Sequence, residues 1–200
     1  GDMEVVFEDG VVVKALAGAF KKTTDSLFSL KHVTNAVLRG EGRAVLRMNK
    51  KDYLDPDLYE AGEWRHCVST ASPVNAKVQN LTLESSGGDG IYVNGAHKVV
   101  IRNVTSARNA RQGISVISAR DLLIERCRFV GLRTAYGSGV ELNNVTARNC
   151  LFADNVITKA YTNLWCAAHG AFWPRRIDGG WCEKPDGAYT ETVPATARWC

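Results

Sequence analysis

The feature that most constrains the fold of this chain is an internal repeat of 23 residues. Four segments align with one another, and each begins 23 residues after the one before: Val78, Ile101, Ile124 and Ala147. The third position of the segments holds a polar residue in every case: Asn80, Asn103, Arg126 and Asn149. A repeat of this length is typical of a solenoid, in which each repeat packs against its neighbours.

The repeats predict strands rather than helices. Each contains β-branched runs of three to five residues separated by Asn, Gly or Ser, which are too short for ordinary helices. Three short strands in each 23-residue coil predict an all-β parallel β-solenoid, with successive coils about 4.8 Å apart. The polar column fits this fold because Asn tolerates a left-handed turn conformation.

Earlier coils are visible on both sides of an insertion. In the segment 27–42, Leu38 takes the position of Val78, and their separation of 40 residues is one repeat plus 17. We therefore expect residues 49–65 to be an inserted loop with about one helical turn. Residues 4–20 fit a first coil, so a β-helix domain is predicted over residues 1–155.

The period ends after Asn155. Residues 156–200 contain four of the five Trp and three of the six Cys. One interpretation is a cap over the last coil, since an open solenoid end needs a cover. A poorly ordered tail, left where the natural continuation was lost, is the second interpretation. A disulfide-linked cap is the third.

Composition excludes several classes of function. The net charge is +4 and the basic residues are scattered, so no nucleic-acid tract is indicated. No apolar run approaches the roughly 18 residues of a membrane span. No Cys/His cluster has zinc spacing. We expect no cofactor, although the acidic residues leave a calcium requirement open. The sequence does not indicate the oligomeric state.

Three stretches resemble a known superfamily: "SGGDGIYV" from Ser86, "RQGISVISARDLLIERC" from Arg111 and "EWRH" from Glu63. They are similar to right-handed parallel β-helix proteins of the pectate-lyase-like superfamily, especially bacterial members with β-helix repeats. The resemblance implies a right-handed single-stranded β-helix in a secreted or cell-surface protein. Such proteins include polysaccharide lyases, hydrolases and epimerases, and also adhesive proteins. The Gly-His-Gly motif of polygalacturonases and the Asp-Pro-His-Asp motif of mannuronan epimerases are absent here.

Strand alternation predicts which side chains face outward. The glycine-led strands should stack in one sheet, with Tyr92, Ser115 and Glu141 in one outer column. Asp89 and its neighbours in the next coil lie at the turn that enters this sheet. The resemblance implies a polysaccharide groove over this face, with the insertion as one wall. We therefore expect substrate-binding roles for Tyr92, Gln112, Ser115, Trp64 and Arg65.

Four residues are candidates for catalysis. Asp89 is either a general acid, general base or calcium ligand, or a turn residue that caps backbone amides. Glu141 lies two coils away, at roughly 10 Å, which approaches the carboxyl spacing of inverting glycosidases. Arg111 could bind a uronate carboxylate or form a salt bridge to either acid. His66 is the preferred base for a lyase, with a structural role as the alternative.

The predicted partner is a polysaccharide. The first hypothesis is an enzyme that cleaves an acidic glycan by β-elimination or hydrolysis, and it depends on Asp89, Arg111 and Glu141 meeting on one face. The second is a non-catalytic β-helix module that binds carbohydrate, adheres to a surface or has a structural role. Cys127 and Cys150, predicted neighbours in adjacent coils, are expected to be buried and unreactive thiols.

Overall fold

A computed structural model describes residues 2–130, 138–143, 150–158, 162–167 and 196–199. The last four ranges are described by their backbone, except that residues 154–156 also have described side chains. The strands in chain order are β1 (Met3–Phe7), β2 (Val12–Lys14), β3 (Phe28–Lys31), β4 (Ala36–Gly40), β5 (Val45–Arg47), β6 (Val68–Ala71), β7 (Lys77–Glu84), β8 (Ile91–Val93), β9 (Ala96–Ala107), β10 (Ile114–Val116), β11 (Ala119–Glu125), β12 (Arg128–Val130), β13 (Ser138–Asn143), β14 (Cys150–Ala153), β15 (Val156–Thr158), β16 (Thr162–Ala167) and β17 (Thr196–Trp199).

The strands form a right-handed parallel β-helix with three faces. The first face is the sheet β3-β6-β8-β10-β13-β16, and the second follows the order β1-β4-β7-β9-β11-β14. The third face contains β2, β5, β12, β15 and the second halves of the long strands β7 and β9. Every pair between successive coils is parallel, as the solenoid prediction requires.

The predicted register is confirmed in the central coils. Val78 pairs with Ile101, and Ile101 pairs with Ile124, which are the 23-residue steps of the repeat. Leu38 pairs with Val78 across the insertion. The insertion contains one turn of 3-10 helix, Asp52–Leu54, in agreement with the expected single helical turn.

The last predicted repeat is out of register. Ile124 pairs with Phe152 rather than with Ala147, so this coil is five residues longer than the 23-residue repeat. Three of the extra residues precede β13, because Ile114 pairs with Val140, a step of 26. The neighbour of Cys127 is therefore Asn155, whose Oδ1 accepts a hydrogen bond from the Cys127 amide at 2.8 Å. Cys127 and Cys150 are not neighbours, which corrects the predicted pairing.

Parallel pairing continues past the predicted boundary at Asn155. β15 pairs with β12, and β16 pairs with β13 on the first face, so coil stacking extends to Ala167. β17 then lies antiparallel to β14. The three interpretations of residues 156–200 depend largely on residues 168–195, which lie outside the described residues. No helix in the described ranges is long and apolar enough to cross a membrane.

The core is the stack of inward side chains between the faces. Ile91, Val93, Ile114 and Val116 are fully buried, as strand alternation predicted. Burying one such aliphatic side chain contributes roughly 1.5–3 kcal/mol. Cys67 and Cys127 also lie in this core, and burial raises the pKa of each thiol to about 12. Both thiols are consequently unreactive at neutral pH.

The polar column marks a left-handed bend between the second and third faces. The backbone φ angles are +55° at Asn80, +52° at Asn103 and +53° at Arg126. Asp154, at +52°, takes the next place in the column because of the longer coil, and the predicted residue Asn149 lies outside the described residues. The Nδ2 of Asn103 donates to the Oδ1 of Asn80 at 3.0 Å, so the bends of adjacent coils are also hydrogen-bonded.

We predict that Asn103→Val destabilises the protein by about 1–2 kcal/mol more than Asn103→Gly, because a β-branched residue is strained in the left-handed conformation. Both variants lose the hydrogen bond to Asn80. The difference between their free energies of unfolding therefore measures the cost of the left-handed backbone conformation. Urea unfolding followed by circular dichroism measures it. Equal stability of the two variants would contradict the role assigned to this bend.

Candidate functional site

The inserted loop is anchored by a buried arginine. Arg65 is 0% exposed, and its guanidinium donates to the carbonyl oxygens of Phe20 at 2.8 Å, Lys21 at 2.7 Å and Glu60 at 2.6 Å. Its carbon Cζ also lies 5.3 Å from the ring centre of Tyr53, within the range of a cation–π contact. The predicted substrate-binding role of Arg65 does not fit this arrangement, because the residue is buried and its Nε and Nη2 donate inside the protein.

The first two glycines of the Gly-Gly-Asp-Gly turn are explained by close packing against this loop. A Cβ on Gly88 would lie 2.6 Å from the carbonyl oxygen of Glu63 and 2.9 Å from Nδ1 of His66. A Cβ on Gly87 would lie 2.5 Å from the Tyr53 ring. Real Cβ atoms do not approach other atoms so closely. The turn therefore excludes side chains at these positions because the loop lies directly against it.

Asp89 joins three coils within this turn. It is 0% exposed, and its Oδ1 accepts a hydrogen bond from the Gln112 amide at 3.1 Å. Its own amide donates to Nδ1 of His66 at 2.9 Å. This arrangement matches the structural interpretation, a turn residue that accepts from backbone amides. The carboxylate is not at the surface, so direct contact with a polymer is not available to it.

His66 is buried and neutral. It is 4% exposed, and its ring stacks on Tyr92 with centres 4.8 Å apart and an angle of 10°. Burial, and then the positive charge of Arg111, lower the pKa of His66 to about 3. Oδ2 of Asp89 lies 3.4 Å from Nδ1, a contact that favours the protonated ring. The amide donor and the burial prevail over this contact, because Nδ1 already accepts a hydrogen bond and cannot also carry a proton.

The predicted role of His66 as a general base does not fit this arrangement. With Nδ1 used as an acceptor, the neutral ring carries its proton on Nε2 and has no free lone pair to accept another. A base must reach the proton that it removes, and His66 is packed beneath Tyr92. Its contacts support the structural alternative.

Arg111 is the charged residue of the turn that reaches solvent. Its side chain is 22% exposed, and its Nε lies 3.4 Å from Oε2 of Glu63 and 4.0 Å from Oδ1 of Asp89. The predicted alternative of a salt bridge to Asp89 is therefore present as a loose contact. Glu63, with a side chain 68% exposed, was not predicted as a site residue, although it begins the quoted stretch "EWRH". Its proximity to Arg111 depends on how the insertion folds.

The remaining predicted residues separate into buried and exposed groups. Gln112 is 4% exposed and Ser115 is 2% exposed, so the structure does not place either on an open groove. Tyr92 is half-buried, and Trp64 is 51% exposed. The backbone of Glu141 pairs with that of Ser115, which confirms its register with Tyr92. The side chain of Glu141 lies outside the described residues, so the predicted pair with Asp89 remains a prediction.

We call four residues of this region the Arg111 surface: Arg111, Glu63 which pairs with it, Trp64 which follows Glu63 in the chain and is exposed, and Tyr92 which stacks on His66. It combines a guanidinium and a carboxylate with two aromatic side chains. Within the described residues, no group of three or more His, Cys, Asp or Glu side chains is arranged to hold a metal ion. The chemistry that this surface offers is ionic pairing and aromatic contact.

We predict that Gly88→Ala destabilises the protein by about 1–3 kcal/mol, because the added methyl group would overlap backbone atoms of the insertion. Trypsin should then cleave faster at Lys50 and Lys51, within the displaced loop. Gly18→Ala is the reference, since its Cβ would meet no atom within 4 Å and its cost comes from a φ of +75°. Unchanged cleavage of the loop in Gly88→Ala would contradict the packing described here.

We also predict that His66 contributes to acid destabilisation. The unfolded ring takes up a proton near its ordinary pKa of 6.5, while the folded ring stays neutral down to about 3. The unfolded state thus binds up to one proton more in this window, and stability falls as the pH decreases from about 6.5 to 3. His66→Asn, which retains an acceptor near Nδ1, should reduce this pH dependence. Urea unfolding between pH 7 and 4 measures the difference, and an unchanged slope would contradict it.

Comparison with known proteins agrees with this architecture. A family model described as "right handed beta helix region" matches residues 60–172. The crystal structure of a "putative glycosyl hydrolase" from Parabacteroides merdae ATCC 43184 is similar with a TM-score of 0.57 and 16% sequence identity, over 92% of this chain and 76% of that chain. No curated protein matches this chain. The matched residues exceed half of the sequence, so the chain belongs to the right-handed β-helix family.

Proposed function

We propose that this protein binds an acidic glycan at the Arg111 surface. The observation that carries the proposal is the position of Arg111, whose side chain is 22% exposed beside a fully buried carboxylate, Asp89. A guanidinium is suited to a uronate carboxylate because it presents paired donors in a plane. The adjacent Asp89 is held by the Gln112 amide, so it provides a fixed negative neighbour that orients the arginine.

The aromatic residues support a sugar as the ligand. The half-exposed ring of Trp64 offers a flat apolar face to the C–H groups of a sugar ring, and its indole nitrogen can donate to a hydroxyl group. Tyr92 is fixed by stacking on His66. The fold of the family and the name of the similar Parabacteroides protein are consistent with a carbohydrate-related function, although a likeness at 16% identity carries only the fold.

Cleavage of the bound glycan is the second candidate. The pairing of an exposed carboxylate, Glu63, with Arg111 on one surface favours it. In a β-elimination, Arg111 would stabilise the negative charge that develops on the uronate carboxylate, and a nearby base would remove the adjacent proton. Glu63 is the exposed carboxylate closest to that role. The electron pair would form the carbon–carbon double bond as the glycosidic C–O bond breaks, and the leaving oxygen would take a proton from water. Asp89 and His66 are buried, so they do not fit the catalytic roles predicted from the sequence. For this reason binding is proposed ahead of cleavage.

A glycan panel tests the proposal. Pectin, alginate, glycosaminoglycans and neutral plant polymers are assayed for binding by affinity electrophoresis, with and without calcium. New reducing ends and the ultraviolet absorbance of unsaturated products are followed in parallel. Binding without cleavage supports a glycan-binding module. Products that absorb ultraviolet light would show that the protein is also a lyase. A folded protein that binds no member of the panel would overturn the proposal. A secreted or cell-surface location, implied by the resemblance, belongs to the same proposal.

We predict that Arg111→Gln weakens binding of the carboxylated glycans roughly ten-fold or more, because a charge-assisted pair is lost. Trp64→Ala should weaken binding as well. Because Trp64 is 51% exposed, we expect this variant to remain folded, so a loss of binding would reflect the loss of the ring. Arg43→Gln is the matched control, since Arg43 is 88% exposed on a different part of the chain and pairs with Asp9. Equal affinities of wild type, Arg111→Gln and Trp64→Ala would show that the glycan does not bind at the Arg111 surface.

A further inference from the structure

We propose that the third face carries a second ligand site, in which Arg47 and Arg108 bind the sulfate or phosphate ester of a glycan. The site shares no residue with the Arg111 surface, so this inference goes beyond the proposed function and does not depend on it. The two arginines come from coils on either side of one buried acid, Glu84, and both contact it.

Glu84 holds both guanidinium groups. Arg47 pairs with Glu84 in the strand register, and Glu84 pairs with Ala107, the residue before Arg108. Nε of Arg47 donates to Oε1 of Glu84, and Nη2 of Arg108 donates to Oε2. The Glu84 side chain is 5% exposed, whereas those of Arg47 and Arg108 are 44% and 60% exposed. The acid is therefore interior, and its two partners reach solvent.

The two arginines have further donors for a ligand. A guanidinium group has five N–H donors, and within the described part of the chain Glu84 is the side-chain partner of both arginines. One carboxylate does not neutralise two guanidinium groups, so an excess positive charge remains at an exposed position. Because the buried acid fixes one nitrogen of each arginine, a ligand that binds both loses less side-chain entropy.

The charge of the surrounding surface has the same sign. The described strand segments of the third face contain one acid, Glu84, and three exposed basic residues, Lys14, Arg47 and Arg128. Lys14 pairs directly with Arg47 in the register. An oxyanion that approaches this face therefore meets a positive potential, which acts over about 8 Å at physiological salt.

The ligand that this arrangement favours is a tetrahedral oxyanion. A single guanidinium group matches the two oxygens of a planar carboxylate, whereas two guanidinium groups from different coils require an anion with more acceptors. A sulfate or phosphate ester has three terminal oxygens and can accept from both arginines at once. Thr82 and Thr105 are paired residues on the same side of the strands as Glu84. Their hydroxyl groups are suited to hydrogen bonds with the sugar that carries the ester.

Four probes that differ only at C6 of the sugar test this inference: glucose 6-sulfate, glucose 6-phosphate, glucuronate and unmodified glucose. The Nε–H resonances of Arg47, Arg108 and Arg120 in NMR report binding residue by residue in the wild-type protein. Arg120→Gln is the matched control for Arg108→Gln, since Arg120 is 58% exposed and lies beside Asp121 at a different bend. Calorimetry with heparin and with fully desulfated heparin extends the comparison to polymers.

At least one ester should shift the Arg47 and Arg108 resonances, leave that of Arg120 unshifted, and bind roughly three-fold or more tightly than glucuronate. Arg47→Gln and Arg108→Gln should each weaken ester binding roughly three- to ten-fold at low salt, and Arg120→Gln should not. The ester that binds more tightly, sulfate or phosphate, identifies the group that the site takes.

Each arginine substitution leaves Glu84 with one partner, so folding of the variants is checked by circular dichroism. The wild-type resonances decide the question if a variant does not fold. Resonances of Arg47 and Arg108 that respond to neither ester, equal affinity for glucuronate, or an equal loss in Arg120→Gln would each overturn the site.

The outcomes also separate this inference from the proposed function. Arg111→Gln should leave ester binding on the third face unchanged. If the glycan panel fails but an ester shifts the Arg47 and Arg108 resonances, the proposed function fails and this site stands. If the panel succeeds through Arg111 while both resonances stay unshifted by the esters, the proposed function stands and this site fails.

Discussion

The register of one coil on the next depends on left-handed residues at the bends, and the bend between the second and third faces has one in each central coil. In the central coils that residue is Asn80 or Asn103, and their side chains are hydrogen-bonded to each other. The bend lets a long strand such as β9 pair on two faces while every buried residue stays above its counterpart in the previous coil. The inward stack of Ile91 and Ile114 follows from that register.

The insertion depends on a different interaction, the burial of Arg65. Removing a guanidinium from water is unfavourable unless its donors find partners, and here Nε and Nη2 donate to three carbonyl oxygens while two tyrosine rings lie close to the charge. Those carbonyl groups belong to the loop after β2 and to the insertion itself. One buried cation thus joins two irregular segments that have no strand pairing to hold them, and it fixes the position of Glu63 and Trp64 beside the turn at Asp89.

The electrostatics of the turn follow from this packing. Burial keeps His66 neutral and allows it to accept the Asp89 amide. Asp89 then retains its Oδ1 for the Gln112 amide and for a loose contact with Arg111. The interior groups therefore contact one another, and the partly exposed side chain of Arg111 also lies near Glu63. Surface chemistry in this region depends on interior contacts made by residues one and two coils away.

The sequence by itself determined the β-helix, the register of the central coils, the position of the insertion and the left-handed polar column. These properties depend on local spacing and backbone preference, which recur every 23 residues. The tertiary structure alone decided that Arg65, His66 and Asp89 are interior, because their burial arises where the insertion meets a turn that lies more than twenty residues away. It also decided that Ile124 pairs with Phe152. Additional residues in turns do not change the pattern of inward and outward side chains within the strands, so the sequence pattern does not reveal them. Alternation predicts which way a side chain points, but what covers that side chain depends on segments outside the repeat.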